Sequence, residues 1–218
     1  MGEKKGGVRG MMTKGRILIL IPSLNRPKQL SECVMSLCAT AAGPFDFLAL
    51  TEKSTFVEAV NSVPEELLCR YDILGLLGDD CRMRTADWDG QVQNYLAGKI
   101  GVVYGRDGIQ DEKLPTQPFF STAIALSFGF VLPPMFKQYF TDDWLLALAN
   151  GAGCRFYMPD LFTEHMHPCV SKSANDDTYM RSNAWMEEDG EAWHRYRMQG
   201  LMDKDIRVVK ELRKLMKL

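Results

Sequence analysis

Two adjacent aspartates close an apolar run in Tyr71-Asp72-Ile73-Leu74-Gly75-Leu76-Leu77-Gly78-Asp79-Asp80. Such a run reads as a buried strand that delivers two carboxylates to its C-terminal edge. In open α/β sheets that edge is where ligands bind. Side chains alternate along a strand, so neighbouring carboxylates can take different tasks, one holding a divalent cation and the other accepting a ligand hydrogen bond. The competing reading is an acidic turn after a strand, since Asp is a common turn residue. Two of the three histidines lie close together in Glu164-His165-Met166-His167-Pro168. They follow a second strand-like run, Phe156-Tyr157-Met158-Pro159-Asp160-Leu161-Phe162. A His at the end of that run would complete an Asp/His metal site. Imidazole with carboxylate suits Mn, Zn or Fe, and carboxylate with phosphate oxygens suits Mg or Mn. A further acidic pair, Asp142-Asp143, precedes the apolar run from Trp144. Thr141 or Asp142 would also serve there as a helix cap.

These residues need elements to position them. The run Arg16-Ile17-Leu18-Ile19-Leu20-Ile21-Pro22 is continuously apolar, as expected of a central parallel strand covered on both faces. A turn-rich loop follows, and Pro27 suits the first turn of a helix. Leu30, Cys33, Val34, Leu37 and Cys38 recur at helical spacing, and Gly43-Pro44 ends the pattern. Residues 45–50 read as a strand, 55–59 and 64–69 as helical pieces, and 71–77 as the strand bearing the aspartates. This β-α-β-α-β order implies a mainly parallel sheet. Residues 88–96 read as a helix and 101–105 as a short strand. Residues 119–130 combine a strand with a helix start, with no periodicity to divide them. Residues 144–149 are helical, ended by Asn150-Gly151. From Asp203 the basic residues interleave with Ile206, Val209, Leu212, Leu215 and Met216, which suits an amphipathic helix. Such a helix is expected to pack on its own domain or on a sister subunit, ahead of the alternative of lying on a membrane surface.

Composition bounds the answer. A chain of 218 residues, 46% hydrophobic and 25% charged, suits one domain with a packed core. The net charge of −2 gives no global reason to expect nucleic-acid binding. Six cysteines without a CxxC pair suit reduced thiols in the cytoplasm. There is no apolar run of the ~18 residues that a membrane span requires. The first 15 residues carry Lys and Gly but no apolar signal core, and read as a flexible tail.

The chain resembles a small glycosyltransferase of the GT-A fold. This is the nucleotide-sugar-dependent type related to the large family-two group, in the compact form found in phage and actinobacterial genomes. The carriers are Ile21-Pro22-Ser23-Leu24-Asn25-Arg26-Pro27, Leu77-Gly78-Asp79-Asp80, Arg84-Thr85-Ala86-Asp87-Trp88-Asp89, Tyr104-Gly105-Arg106-Asp107-Gly108, Leu114-Pro115-Thr116, Thr141-Asp142-Asp143-Trp144 and the late histidines. Their order and spacing carry more weight than any one of them, and the resemblance covers roughly residues 16–195.

The resemblance implies a single-domain α/β GT-A (Rossmann-like) fold, with a mainly parallel sheet flanked by helices. Its expected bounds are a tail at 1–15, the domain at 16–200 and a C-terminal amphipathic helix at 201–218. It implies Mn2+ or Mg2+ held by Asp80 with His165 or His167. Asp79-Asp80 stands where the family has Asp-x-Asp, a departure because position 78 is Gly. Pro22, Ser23, Asn25, Arg26, Glu52, Asp79 and Arg106 would contact the nucleotide sugar, a UDP- or GDP-sugar. Asp143, then Asp142, would be the base facing the acceptor. The acceptor is open among a modified DNA base, a protein and a glycan, with Arg82, Arg84 and Arg106 available for a basic groove. Inversion or retention is open, as is a homodimer through the C-terminal helix. The expected location is the cytoplasm, that of the host if the chain is phage-encoded. The alternatives are a sugar-nucleotide nucleotidyltransferase and a non-catalytic nucleotide-sugar or glycan-binding module. The first usually carries a Gly-rich loop after its first strand, and this chain has Ser-Leu-Asn-Arg-Pro there. A nicotinamide dehydrogenase is disfavoured by the missing GxGxxG turn.

Overall fold

The structure, a computed structural model, describes residues 15–53, 55–173 and 176–216. The expected tail lies almost wholly outside the described residues. Strand β1 (Ile17–Pro22) is the central strand that its apolar run predicts, with Ile17 to Ile21 all buried. It pairs in parallel with β2 (Asp46–Leu50) on one side and β3 (Ile73–Leu76) on the other. Helix α1 (Pro27–Thr40) starts on its proline and connects β1 to β2. Short helices α2 (Phe56–Asn61) and α3 (Glu65–Leu68) connect β2 to β3.

The second half of the sheet is mixed. Strand β4 (Cys81–Met83) is followed by α4 (Trp88–Leu96) and β5 (Val102–Arg106). The ambiguous run from Phe119 divides into β6 (Phe119–Ser121) and α5 (Thr122–Phe128). Helix α6 (Thr141–Ala152) ends on Gly153, whose φ of 65° is the left-handed conformation that glycine adopts at helix ends. Strand β7 (Arg155–His165) is followed by α7 (Asp177–Asn183), α8 (Met186–Met198) and α9 (Leu201–Leu215). The sheet order is β2-β1-β3-β6-β5-β7-β4. Parallel pairing joins β2-β1-β3 and β5-β7, while β6 and the edge strand β4 run antiparallel to their neighbours.

Alternation along β1 sends side chains to two cores. Leu18 and Leu20 join a cluster beneath α2, α5, α6 and α9 that contains Trp144. Ile17, Ile19 and Ile21 join a second cluster beneath α1 and α4 that contains Trp88. The amphipathic C-terminal segment belongs to the first cluster through Met202 and Val209, and α9 packs on α6, α5 and α8. Its apolar face is used within the chain through Ile206, Val209 and Leu212, whereas Leu215 and Met216 at its end are exposed. Among the described residues, no helix is long and apolar enough to cross a membrane.

Two expectations are corrected in detail. Asp79 and Asp80 are not on a strand. They are the central residues of a turn closed by the Cys81 N–H donating to the Gly78 carbonyl at 3.2 Å. Neither Thr141 nor Asp142 caps α6. The residue in the cap position is Phe140, at φ 63°, with no side-chain cap bond.

Candidate functional site

A cleft of about 280 Å³ opens at the C-terminal ends of β1, β2 and β3. The turn after β3 splays its two carboxylates. Asp79 faces the loop after β1, where its Oδ2 accepts from Ser23 Oγ at 2.7 Å and its Oδ1 from Arg26 Nη1 at 2.8 Å. Burial pushes this carboxyl up to about 6, against the pull of Ser23 and Arg26. Both oxygens are thus committed to fixing the loop at residues 22–26. Arg26 is itself buried, its guanidinium lying 4.9 Å from the Tyr179 ring centroid and its Nε 3.2 Å from Asp176.

Asp80 faces the other way. Its Oδ2 accepts from the Tyr179 hydroxyl at 2.5 Å and lies 3.4 Å from His165 Nε2. Gly78 makes room for this, because a Cβ at that position would collide with Asp80 Oδ1. Burial works against the Asp80 charge, but His165, Tyr179 and Arg26 outweigh it and hold the carboxyl well below its usual range. His165 stands at the end of β7, and its Nδ1 lies 3.8 Å from Asp107 Oδ2. Asp107 is buried, and its Oδ1 accepts from the backbone N–H groups of Ile109, Gln110 and Asp111 at 2.7–2.9 Å. Burial opposes a charged imidazole, yet the two carboxylates prevail and push His165 up to about 9. The position between Asp80 and Asp107 therefore favours positive charge.

The donor set fits a divalent cation. A carboxylate and an imidazole meet in the cleft, and a second carboxylate orients the imidazole from behind, as in many protein metal sites. Among the described residues, Asp80, Cys81 and His165 each offer one ligand atom within 4.8 Å of the others. His167 lies beside this group, its ring edge-on to His165 at 5.1 Å, and its Nδ1 accepts from the Cys169 N–H at 3.1 Å.

The carboxylates at the start of α6 differ in placement. Asp142 lines the cleft and Asp143 does not. Burial, then the Asp143 charge, pushes Asp142 up to about 6, and Asp107 adds to the shift. Burial also raises Asp143. Tyr139 and Trp185 also line the cleft.

Of the other expected contacts, Pro22, Ser23 and Arg26 line the cleft, whereas Asn25 is exposed on the turn at φ 58°. Glu52 is exposed outside the cleft, on a shallow depression beside it. Arg106 donates to the Pro159 carbonyl at 2.8 Å and lies 5.1 Å from the centroid of the Phe162 ring, outside the cleft. Arg82 is buried and bonded to Glu32, and Arg84 pairs with Glu164 at 2.7 Å. None of these three arginines lines the cleft. Tyr179, Asp107, Cys81 and Trp185 are not among the expected site residues, although Asp107 lies in the Tyr104–Gly108 run that carries the resemblance. Asp107 carried a signal, an Asp-Gly at the end of a short strand, but Tyr179 and Trp185 carried none.

No family model matches the chain, and no curated protein matches it in sequence. Solved structures do match in fold. One is a mannosyltransferase from Pyrobaculum calidifontis in complex with GDP-Man and Mn2+, at TM-score 0.54 and 12% identity over 70% of this chain and 57% of that one. Another is the catalytic domain of Drosophila beta1,4-galactosyltransferase 7 with xylobiose, at TM-score 0.52 and 12% identity over 70% of this chain and 71% of that one. A third is TarS 1-349 from S. aureus, at TM-score 0.50 and 12% identity over 68% of this chain and 59% of that one. The chain thus spans less than two thirds of the mannosyltransferase and of TarS 1-349. The likeness is one of fold, and the fold is of the GT-A type.

Proposed function

We propose that this chain is a metal-dependent glycosyltransferase, moving a sugar from a nucleoside-diphosphate donor to an acceptor hydroxyl. The observation that supports it most is the meeting of Asp80 with His165 in the same cleft as the half-buried carboxylate of Asp142. Asp80 and His165 would hold the cation, with Asp107 fixing the imidazole. A divalent cation there supplies Lewis-acid stabilisation of the charge that develops on the leaving diphosphate. Asp79 keeps Ser23 and Arg26 in place, so the loop presents a fixed wall to the nucleoside. Solved structures of similar fold contain GDP-Man with Mn2+ or UDP-Gal with manganese, and a GDP- or UDP-sugar is the donor we assign.

Asp142 is the base in this reading, ahead of Asp143, because it lines the cleft. A carboxyl pushed up to about 6 is still ionised at neutral pH and is a better proton acceptor than an ordinary aspartate. Tyr139 and Trp185 line the same cleft and suit a sugar ring, and the three arginines that a DNA groove would use lie elsewhere. A glycan hydroxyl is therefore the acceptor we assign. Calorimetry with GDP- and UDP-sugars and Mn2+ tests the proposal. Donor binding should require the metal and be largely lost in Asp80→Ala. Metal-independent binding, or full binding in that variant, would refute it.

A further inference from the structure

We infer that Cys81 is a third protein ligand at the Asp80–His165 site, which makes it a carboxylate–imidazole–thiolate site for a zinc-class transition metal. This rests on the metal reading above and deepens it. The β4–β7 ladder pairs Cys81 directly with His165. Residues directly opposite on antiparallel strands project from the same face, with Cβ atoms about 4.5–5.5 Å apart. The turn from Gly78 to Cys81 then brings Asp80 beside them.

His165 Nε2 lies 3.4 Å from Asp80 Oδ2, Cys81 Sγ lies 3.8 Å from the other oxygen, Oδ1, and one ligand atom from each of the three side chains lies within 4.8 Å of the others, so small side-chain rotations would close the group on one ion. A tetrahedral zinc with bonds of about 2.0–2.3 Å holds its ligand atoms roughly 3.3–3.6 Å apart. Backbone bonds hold the group from both sides. The Met166 N–H donates to the Asp80 carbonyl at 2.8 Å, and the His165 N–H donates to the Asp107 carbonyl at 3.0 Å. The neighbouring candidates have other partners. The Cys33 thiol contacts the Gly78 carbonyl at 3.6 Å, and His167 Nδ1 accepts from the Cys169 N–H.

A sulfur ligand changes which ion is preferred. Mg2+ is a hard ion that takes oxygen ligands and keeps its waters. Thiolate with imidazole favours zinc and its neighbours. Ligation exchanges the S–H bond for an S–metal bond and releases the thiol proton to solvent. The rival role for Cys81 is packing alone, since it shares an apolar cluster with Cys33 and Leu37.

Cobalt(II) titration of the intact chain separates the two roles. Ligation predicts a sulfur-to-cobalt charge-transfer band in the near ultraviolet and strong visible bands of a four-coordinate ion. Cys81→Ser should abolish the charge-transfer band, and Cys33→Ser should keep it. Zinc affinity should fall in Cys81→Ser by at least the 10–100-fold that loss of an outer-shell partner costs. X-ray absorption on the zinc-loaded wild type gives the same answer should the variant not fold, through a sulfur shell at about 2.3 Å. Cobalt that binds in an Asp80-dependent way without the band, or a band that survives Cys81→Ser, overturns the inference and leaves the metal reading standing. No Asp80-dependent cobalt binding overturns both.

Discussion

At the scale of single residues, what separates the two carboxylates at the start of α6 is which of them the cleft receives. Asp142→Asn keeps the shape and removes the proton acceptor, so kcat should fall by about 10²-fold or more while donor binding persists. Asp143→Asn should turn over nearly normally, and a large loss there would restore it as the base. The same placement predicts a pH dependence. The base must be ionised, so activity should fall as pH drops through about 6. Stability should move in the opposite sense. Asp142 is raised from 3.8 in the unfolded chain to about 6 in the fold, so between those values the folded protein holds the extra proton. Stability then declines as pH rises across that window. Asp142→Asn removes the decline, so its melting temperature should exceed wild type above pH 6 and converge with it below pH 4. Gly78→Ala carries a second prediction. Its Cβ would displace Asp80 but leave the Asp79 bonds to Ser23 and Arg26 intact. Metal affinity should therefore drop with little change in melting temperature, and unchanged metal affinity would count against the Asp80 assignment. Asp79, Asp80 and His165 were legible because they terminate apolar runs. Tyr179 was not, because its partner Asp80 lies 99 residues away and no local pattern marks such a contact.

At the scale of elements, α8 sets the approach to α6. Asp189 of α8 is fully buried and accepts three backbone N–H bonds, from Lys137, Gln138 and Tyr139, at 2.8–2.9 Å. These bonds hold the loop that enters α6 through Phe140, a bulky residue at φ 63°, where an ordinary side chain is strained. Asp189→Ala would strand three donors at a total cost of about 3 kcal/mol or more. A fall of roughly 6–12 °C in melting temperature is expected for a domain of this size. Asp189→Asn keeps one acceptor oxygen and should lie between the two. Equal melting temperatures for all three proteins would show that the loop holds itself. None of this could be read from the sequence, because the partners of Asp189 lie 50 to 52 residues away and no local pattern marks such contacts. Strand β4 escaped for a different reason. Three residues are too few for any periodicity, and its pairing is decided by where the end of β7 arrives. The long apolar strands and α1 were legible because burial on both faces, or a helical stripe with a proline start, writes itself into consecutive residues. The division between β6 and α5 was not, because strand and helix are equally apolar there.

At the scale of the molecule, the two cores are closed by different parts of the chain. The cluster beneath α1 and α4 is assembled from residues before position 162, whereas the other needs α9, which supplies Met202 and Val209. A buried polar contact reinforces this closure. Asp205 accepts from the Trp144 indole N–H at 2.9 Å and from the Tyr196 hydroxyl at 2.5 Å, joining α9 to α6 and α8. A boundary at position 200 therefore cuts through the core. Asp205→Ala would leave both donors without that acceptor, at about 2 kcal/mol or more, or roughly 4–8 °C in melting temperature. Truncation after Gly200 goes further, uncovering Trp144 and Leu148 and releasing the helix that carries Asp142 in its first turn. It should abolish cooperative unfolding together with metal-dependent donor binding. Leu215→Asp is the contrasting variant, since Leu215 is 67% exposed near the end of α9 and should leave melting unchanged. If α9 were instead an appendage for pairing with a second copy, the truncated chain would melt like the full one. Only its sedimentation would change, from dimer to monomer. Measuring melting and sedimentation on the truncated chain distinguishes a helix that completes the core from one that joins two molecules.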